Sequence, residues 1–382
     1  MIYRACRGLL LGVVWAVSAN AVSAAGAANV ADSGTTYTAA DFVKVRKFDA
    51  HVHANTDDPH FLDIAHKDGF ELLSINVDYP DFPKLEEQAR VAHKLQAEDP
   101  RHFHFLTTFS MKGFGGPTWT ADTIQHIDSE IANGAVGVKV WKNVGMVERD
   151  AQHHLIFLDN PGFDGVMNHL EAERIPLVAH QAEPKNCWLP LDQMTTDNDR
   201  SYFRDHPEYY MYLHPEMPSY ESLMAARDRF VGRHPKLIFI GAHLASLEWS
   251  VDEIAQFFDK YPNATADLAA RMTQVQYQSN IDREKVRRFF IKYQDRLLYG
   301  TDLTEDPPDP HARAQNPPDD GTPFETEADK FWRSDWLYLA TGDVQHIDAI
   351  KADVKGLALP KSVIDKIYYR NAHRVFWKLP RK

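Results

Sequence analysis

Eight short apolar runs punctuate this chain, and several of the stretches between them are amphipathic at helical spacing. That alternation limits the fold more than any other feature. The runs span residues 45–52, 71–77, 103–109, 136–141, 176–180, 237–243, 264–268 and 297–302. Each is rich in Val, Ile, Leu, Phe or Ala and is bounded by polar residues, the pattern of strands buried on both faces. Residues 84–97, 123–132, 251–261 and 284–296 carry apolar side chains on one face and charge on the other. Eight strands each followed by a helix is the count of a (β/α)8 barrel, an α/β fold. An open doubly wound sheet is the competing arrangement, but no glycine-rich phosphate fingerprint follows the first strand. Two segments interrupt the rhythm. Residues 184–217 hold Trp188, Tyr202, Phe203, Tyr209, Tyr210 and Tyr212 among prolines, and are expected to form an ordered lid-like loop after the fifth strand. Residues 305–325, rich in Pro and Asp, are expected to be a mobile surface loop.

The N-terminus is read separately. Arg4 and Arg7 precede an apolar run from Gly8 to Val22, and Val22-Ser23-Ala24 supplies small residues for cleavage. This is the layout of a secretory signal over residues 1–24. The run is shorter than the ~20 residues of a spanning helix, and Ser18 and Asn20 interrupt it. A flexible leader is expected over 25–43 and a single barrel domain over 44–378, in a secreted or periplasmic protein with no membrane insertion once the signal is cleaved. Of two cysteines, Cys6 lies in the signal, so the mature chain keeps Cys187 alone and forms no internal disulfide. Losing Arg4 and Arg7 takes the net charge from −12 to −14. That excess argues against nucleic acid or an anionic membrane as partner. A small-molecule substrate is expected, and a homo-oligomer is left open.

Chemistry is written at the strand ends. The first run closes Phe48-Asp49-Ala50-His51-Val52-His53, and strand residues two apart share a face, so His51 and His53 project together. In a chain with 19 His such a pair alone says little. The placement recurs, however: Lys139 near the end of the fourth run, His180 ending the fifth, His243 the sixth and Asp302 the eighth. All strand C-termini of a barrel meet at one face. Taken singly, each could be a satisfied buried polar residue. As a set they would be costly to bury without a shared partner. Nitrogen and carboxylate donors without thiolate suit Zn²⁺, Mn²⁺ or Fe²⁺.

These residues resemble the amidohydrolase superfamily, in particular its amidohydrolase-related branch. The resemblance lies in Asp49-Ala50-His51-Val52-His53, Gly137-Val138-Lys139, Ala179-His180, Gly241-Ala242-His243, Tyr299-Gly300-Thr301-Asp302 and the closing Tyr369-Arg370-Asn371-Ala372-His373-Arg374-Val375-Phe376. It implies that His51, His53, His180 and Asp302 hold one divalent transition metal ion, zinc first and Mn or Fe as alternatives, with His243 as acid/base. It also implies an alternative in which a carboxylated Lys139 bridges two metals, the second ion or the substrate meeting Lys139 and His243. The branch contains hydrolases, lactonases and nonoxidative decarboxylases. The expected reaction is metal-dependent hydrolysis of an amide, ester or lactone, with Asp302 accepting a proton and His243 stabilising or protonating developing charge. Decarboxylation of a small carboxylic acid uses the same residues and is the alternative. A catalytically inactive periplasmic binding protein is the second. Glu183, Arg271 and Trp188 are weaker candidates for contacting substrate, with Lys185 beside them. Asp49 either orients a ligand histidine or caps local backbone.

Overall fold

The computed structural model describes residues 35–79, 82–307 and 323–377. The signal expected over 1–24 and most of the loop expected over 305–325 lie outside the described residues. Nine parallel strands form one sheet: β1 (Lys47–Ala54), β2 (Phe70–Ile75), β3 (Phe103–Thr108), β4 (Val138–Val140), β5 (Leu177–Ala179), β6 (Phe239–Gly241), β7 (Ala264–Asp267), β8 (Leu297–Leu298) and β9 (Leu303–Glu305). They run in sequence order from β8 back to β1, with β9 on the far side of β1. β8 and β9 are two halves of one stave. Its first half pairs with β7 and its second with β1. Between the halves, Ala50 donates to the Tyr299 carbonyl at 2.9 Å and Asp302 to the His51 carbonyl at 2.7 Å. The barrel is thereby closed, and no open sheet edge is left between first and last strand.

A helix follows each stave: α1 (His60–Asp68), α2 (Leu85–Glu98), α3 (Trp119–Ala132), α4 (Asp164–Glu173), α5 (Tyr220–Arg233), α6 (Val251–Lys260), α7 (Met272–Lys292) and α8 (Phe324–Ala340). The helix expected at 284–296 is the second half of α7, which begins at Met272 and bends at Asp282. The strand expected over 297–302 is interrupted after Leu298 and resumes as β9 at Leu303, with Asp302 in a left-handed conformation at the end of the break.

Two apolar layers hold this together. Phe48, Leu73, Ile75, Leu106, Val178, Ile240 and Leu298 fill the barrel, with Val375 and Phe376 of the last helix against its lower end. A larger layer lies between strands and helices. Within it the Trp332 ring of α8 stacks on Phe70 at 4.2 Å. The flexible leader expected over 25–43 is corrected where it is described. Phe42 is buried, Tyr37 donates to Asp365 at 2.8 Å, and Trp336 donates to the Thr38 carbonyl at 3.0 Å. Residues 35–43 thus pack on the barrel, because they bring apolar side chains that would otherwise stay in water.

Residues 184–217 after β5 are compact. A helix, Asp197–Asp205, sits among 3-10 turns, and Cys187, Met194, Phe203 and Met211 join the main core. Asn186 and Gln274 of α7 both donate to Asp199, each at 2.8 Å, fastening the segment from within and from outside.

Candidate active site

Strict alternation along β1 would put Phe48 and Ala50 inside the barrel and His51 and His53 outside it. The register between β1 and β2 shifts between Asp49 and Val52. This bulge resets the phase. Phe48 and Ala50 belong to the barrel interior, while Val52 and Ala54 belong to the outer layer. His51 and His53 turn inward at the top.

There each imidazole is held by one nitrogen and offers the other. His51 Nδ1 is 2.9 Å from Asp267, and His53 Nδ1 is 2.7 Å from the Ile75 carbonyl. Both Nε2 atoms converge on Asp302 Oδ1, at 3.2 and 3.3 Å. Lys139 Nζ stands 3.4 Å from His51 Nε2. The His243 ring lies between, its centre 4.9 Å from that of His51 and 4.1 Å from that of His180. His180 has one nitrogen, Nε2, 3.0 Å from the Ala182 carbonyl; the other, Nδ1, is buried with no partner. The structure therefore joins His51, His53 and Asp302 directly and brings His180 alongside through His243.

Two of these side chains sit on strained backbone. Asp302 has φ 70°, and His243, Leu244, Ala245 and Ser246 are four consecutive left-handed residues. Each such residue costs about 1–2 kcal/mol. The turn folds Ala245 back over β6, where a Cβ on Gly241 would lie 2.4 Å from the Ala245 Cβ, so only glycine fits there. Asp267 takes the His243 backbone N–H at 2.7 Å, and Arg227 donates to the Ala245 carbonyl at 2.5 Å. Asp49 plays the matching part at Asp302. It accepts from the Thr301 N–H at 3.0 Å, the Thr301 hydroxyl at 2.7 Å and the Trp332 indole at 2.9 Å. Of the two roles expected for Asp49, the structure shows the backbone-capping one. The carboxylate on a site histidine is Asp267, which the sequence reasoning missed. Its signal was present, since it closes β7 as the other site residues close theirs.

Burial sets the charges. It holds His51 below the ordinary imidazole value, with Lys139 adding to the effect against Asp267 and Asp302. His180 and His243 are pushed well below that value, by burial first and with the positive charge of Arg271 contributing at both. Burial brings Lys139 down to about 8. Asp302 is raised by burial, but His243, His51 and His53 outweigh this and hold it well below the carboxylate range. Imidazoles whose charged form is disfavoured, as at His51, His180 and His243, near a carboxylate held low are the protonation pattern that metal ligation requires.

Glu183, Trp188 and Lys185 have protein partners of their own. Glu183 is ion-paired with Lys142. The Trp188 indole donates to the Pro218 carbonyl at 3.1 Å and its ring packs on Tyr220, so it belongs to a packing seam. Lys185 lies over the Trp249 ring at 3.8 Å. Cys187 is buried under the Tyr209 carbonyl. Arg271 differs: it is nine-tenths buried and its Nε has no partner.

The amidohydrolase family model matches residues 16–377. The chain belongs to the amidohydrolase family. It is accordingly an enzyme of a metal-dependent family, and its His/Asp clusters are of the kind that hold such an ion. A comparison with curated protein sequences gives no match. Among solved structures, the chain is similar to an uncharacterised TIM-barrel protein from Bordetella bronchiseptica. That match has 13% identity, covers 87% of this chain and 99% of that one, and has a TM-score of 0.50. It is also similar to 2,6-dihydroxybenzoate decarboxylase from Rhizobium, at 14% identity over 87% and 99% of the two chains, with a TM-score of 0.50. At these identities the likeness concerns the fold.

Proposed function

We propose that this amidohydrolase is a hydrolase of a small organic ester, lactone or amide bearing an anionic group, working outside the cytoplasm after loss of residues 1–24. The observation that carries the assignment is the convergence of His51 Nε2, His53 Nε2 and Asp302 Oδ1 beside a buried His180 whose Nδ1 has no partner. An orphaned buried nitrogen on His180, whose ring packs on that of His243 beside the convergent donors, is what a shared cation would satisfy. The residues fit one divalent ion, zinc by preference for their nitrogen-rich set, held by His51, His53, His180 and Asp302. Such an ion supplies Lewis acidity and an acidified water at neutral pH.

The chain's own groups do the rest. Asp302, ionised and exposed on one side, is placed to accept a proton from an attacking water. His243 gives Nδ1 to the Ala269 carbonyl at 2.9 Å, which leaves Nε2 as the nitrogen that exchanges a proton with the reacting group. Arg271 is suited to the substrate's anionic end, because its Nε lacks any protein partner. Residues 184–217 follow the strand that leads to His180, and we assign them the role of a wall excluding water from the site.

Metal analysis tests the assignment. His51→Ala and His180→Ala should each lose most of the metal. His243→Asn should keep it while kcat falls by roughly 10²–10⁴-fold. Full occupancy in both alanine variants, or a metal-free His243→Asn, would overturn the ligand set. Turnover of esters or lactones with ¹⁸O from water in the product supports hydrolysis. Release of CO₂ from a carboxylic acid without such incorporation would instead identify a decarboxylase. Two equivalents of tightly held metal, one lost in Lys139→Ala, would select the bridged two-metal arrangement, for which the 3.4 Å approach of Lys139 to His51 is the supporting contact.

A further inference from the structure

A second group of ligand-type side chains lies where the barrel closes. Asp58 comes from the connection between β1 and α1, His60 opens α1, Glu305 ends β9, and Glu325 is in the first turn of α8. Oxygen or nitrogen atoms of Asp58, His60 and Glu305 all lie within 4.8 Å of one another. His60 Nδ1 is 2.9 Å from Asp58 Oδ1 and 3.6 Å from Glu325 Oε1. Glu305 is the telling member. It is 7% exposed, and its Oε2 is buried with no hydrogen-bond partner. The charges facing it are Asp58, Glu325 and Asp306, the last of which accepts from Asn55 at 2.8 Å. Among the described residues no lysine or arginine pairs with any of these four carboxylates. A buried carboxylate set against three others, with one imidazole among them, is unfavourable until a cation or a proton joins it.

We propose that Asp58, His60, Glu305 and Glu325 form a second divalent-cation site that ties the first unit of the barrel to the last. Its donors are carboxylate oxygens with one imidazole nitrogen, which suits Mn²⁺ better than the nitrogen-rich set around His51 does. Asp58 and Glu325 are each about half exposed, so the ion reaches the site from solvent and keeps water on its open side. Burial, then the neighbouring carboxylates, push Glu305 up to about 8, so a proton occupies the position when the cation does not. The site does not depend on the catalytic assignment, since none of its residues is shared with that cluster.

The test uses the full mature chain carrying His51→Ala and His180→Ala, which disables the first site, with Mn²⁺ alone as probe. Titration followed by calorimetry and by loss of the free-ion spin resonance signal should show one saturable equivalent. At pH 7 its uptake should release about one proton, seen as a difference between buffers of different ionisation heat. Adding Asp58→Asn or Glu305→Gln should each weaken binding at least about tenfold. Absence of saturable uptake, or uptake unchanged in either variant, overturns the site. If Glu305→Gln does not fold, Asp58→Asn decides alone, because its side chain is 43% exposed and its loss leaves no buried gap. A metal-free first site in the wild-type chain would refute the catalytic assignment without touching this result.

Discussion

Asp267→Asn isolates the residue on which both halves of the site depend. Its Oδ1 accepts the backbone N–H of His243 at 2.7 Å and of Ala269 at 3.2 Å, and its Oδ2 lies 2.9 Å from His51 Nδ1. Burial opposes its charge, but His51, His243 and Lys139 hold it below the usual carboxylate range, so it is ionised at neutral pH. Asparagine has the same shape. Its carbonyl oxygen must stay with the two N–H donors, which turns its NH₂ toward His51 Nδ1. His51 Nδ1 must then accept, and its proton moves to Nε2, the atom 3.2 Å from Asp302 that the metal requires bare. Loss of a supporting partner of this kind typically costs 10–100-fold in metal affinity. Because the tautomer is reversed here, the upper end is expected, about 100-fold or ~2.8 kcal/mol. Competition against a chelator, with circular dichroism to confirm the fold, measures it. Wild-type affinity in a folded Asp267→Asn protein would refute the tautomer argument and leave Asp267 a mere anchor for the His243 turn.

Three further outcomes are expected. Glu71, buried at the lower end of the barrel, takes Arg46 and His373, each at 2.8 Å. Burial raises its pKa, but His104, His373 and Arg46 outweigh this and leave it below the ordinary carboxylate value. A depressed folded pKa stabilises above the unfolded value near 4.3 and loses that contribution as pH falls below it. Glu71→Gln should thus cost about 1–3 kcal/mol at pH 7 in denaturant melts, with the gap to wild type closing below pH ~4; a pH-independent gap would contradict the charge argument. Asp199→Ala cuts the hydrogen bonds to Asn186 and Gln274 that fasten residues 184–217, and should lower kcat/KM while metal content stays constant; unchanged turnover would remove the wall role. Protein recovered from outside the cytoplasm should begin near Ala25 by intact mass, and a full-length chain found only inside the cell would contradict export.

How far the sequence carried is clearest at the strands. Their apolar runs were visible because parallel strands buried on both faces need unbroken apolar residues, and all eight staves lie where those runs do. The polar strand ends were visible for the same reason, as exceptions in apolar context. Asp267 was overlooked because the run read from the sequence closes on Leu268, which makes the carboxylate look interior to the strand, whereas β7 ends at Asp267 itself. Spacing put His51 and His53 on one face, yet period-two alternation carried up from Phe48 makes that the outer face. The bulge that corrects it depends on the partner strand, and nothing local to residues 49–52 announces it. The partnering of Glu183 by Lys142 and of Trp188 by Pro218 likewise joins residues 30–41 positions apart, beyond the reach of pattern.

The bulge in β1 also divides that strand between two masters. Below it, Phe48 and Ala50 answer to the packing of the barrel; above it, His51 and His53 answer to chemistry. One extra residue lets the two lengths face the same way without sharing a phase. Removing Ala50 would take out the extra residue, and plain alternation from Phe48 would still turn His51 and His53 inward; removing His51 instead would leave Ala50 and His53 inward and cost the site one imidazole. Either deletion keeps Val52 opposite Ser74 and the barrel closed, and only the second takes a donor from its mouth. The extra residue is thus what lets Ala50 join both imidazoles on the inner face, a place that strict alternation would allow to only some of them.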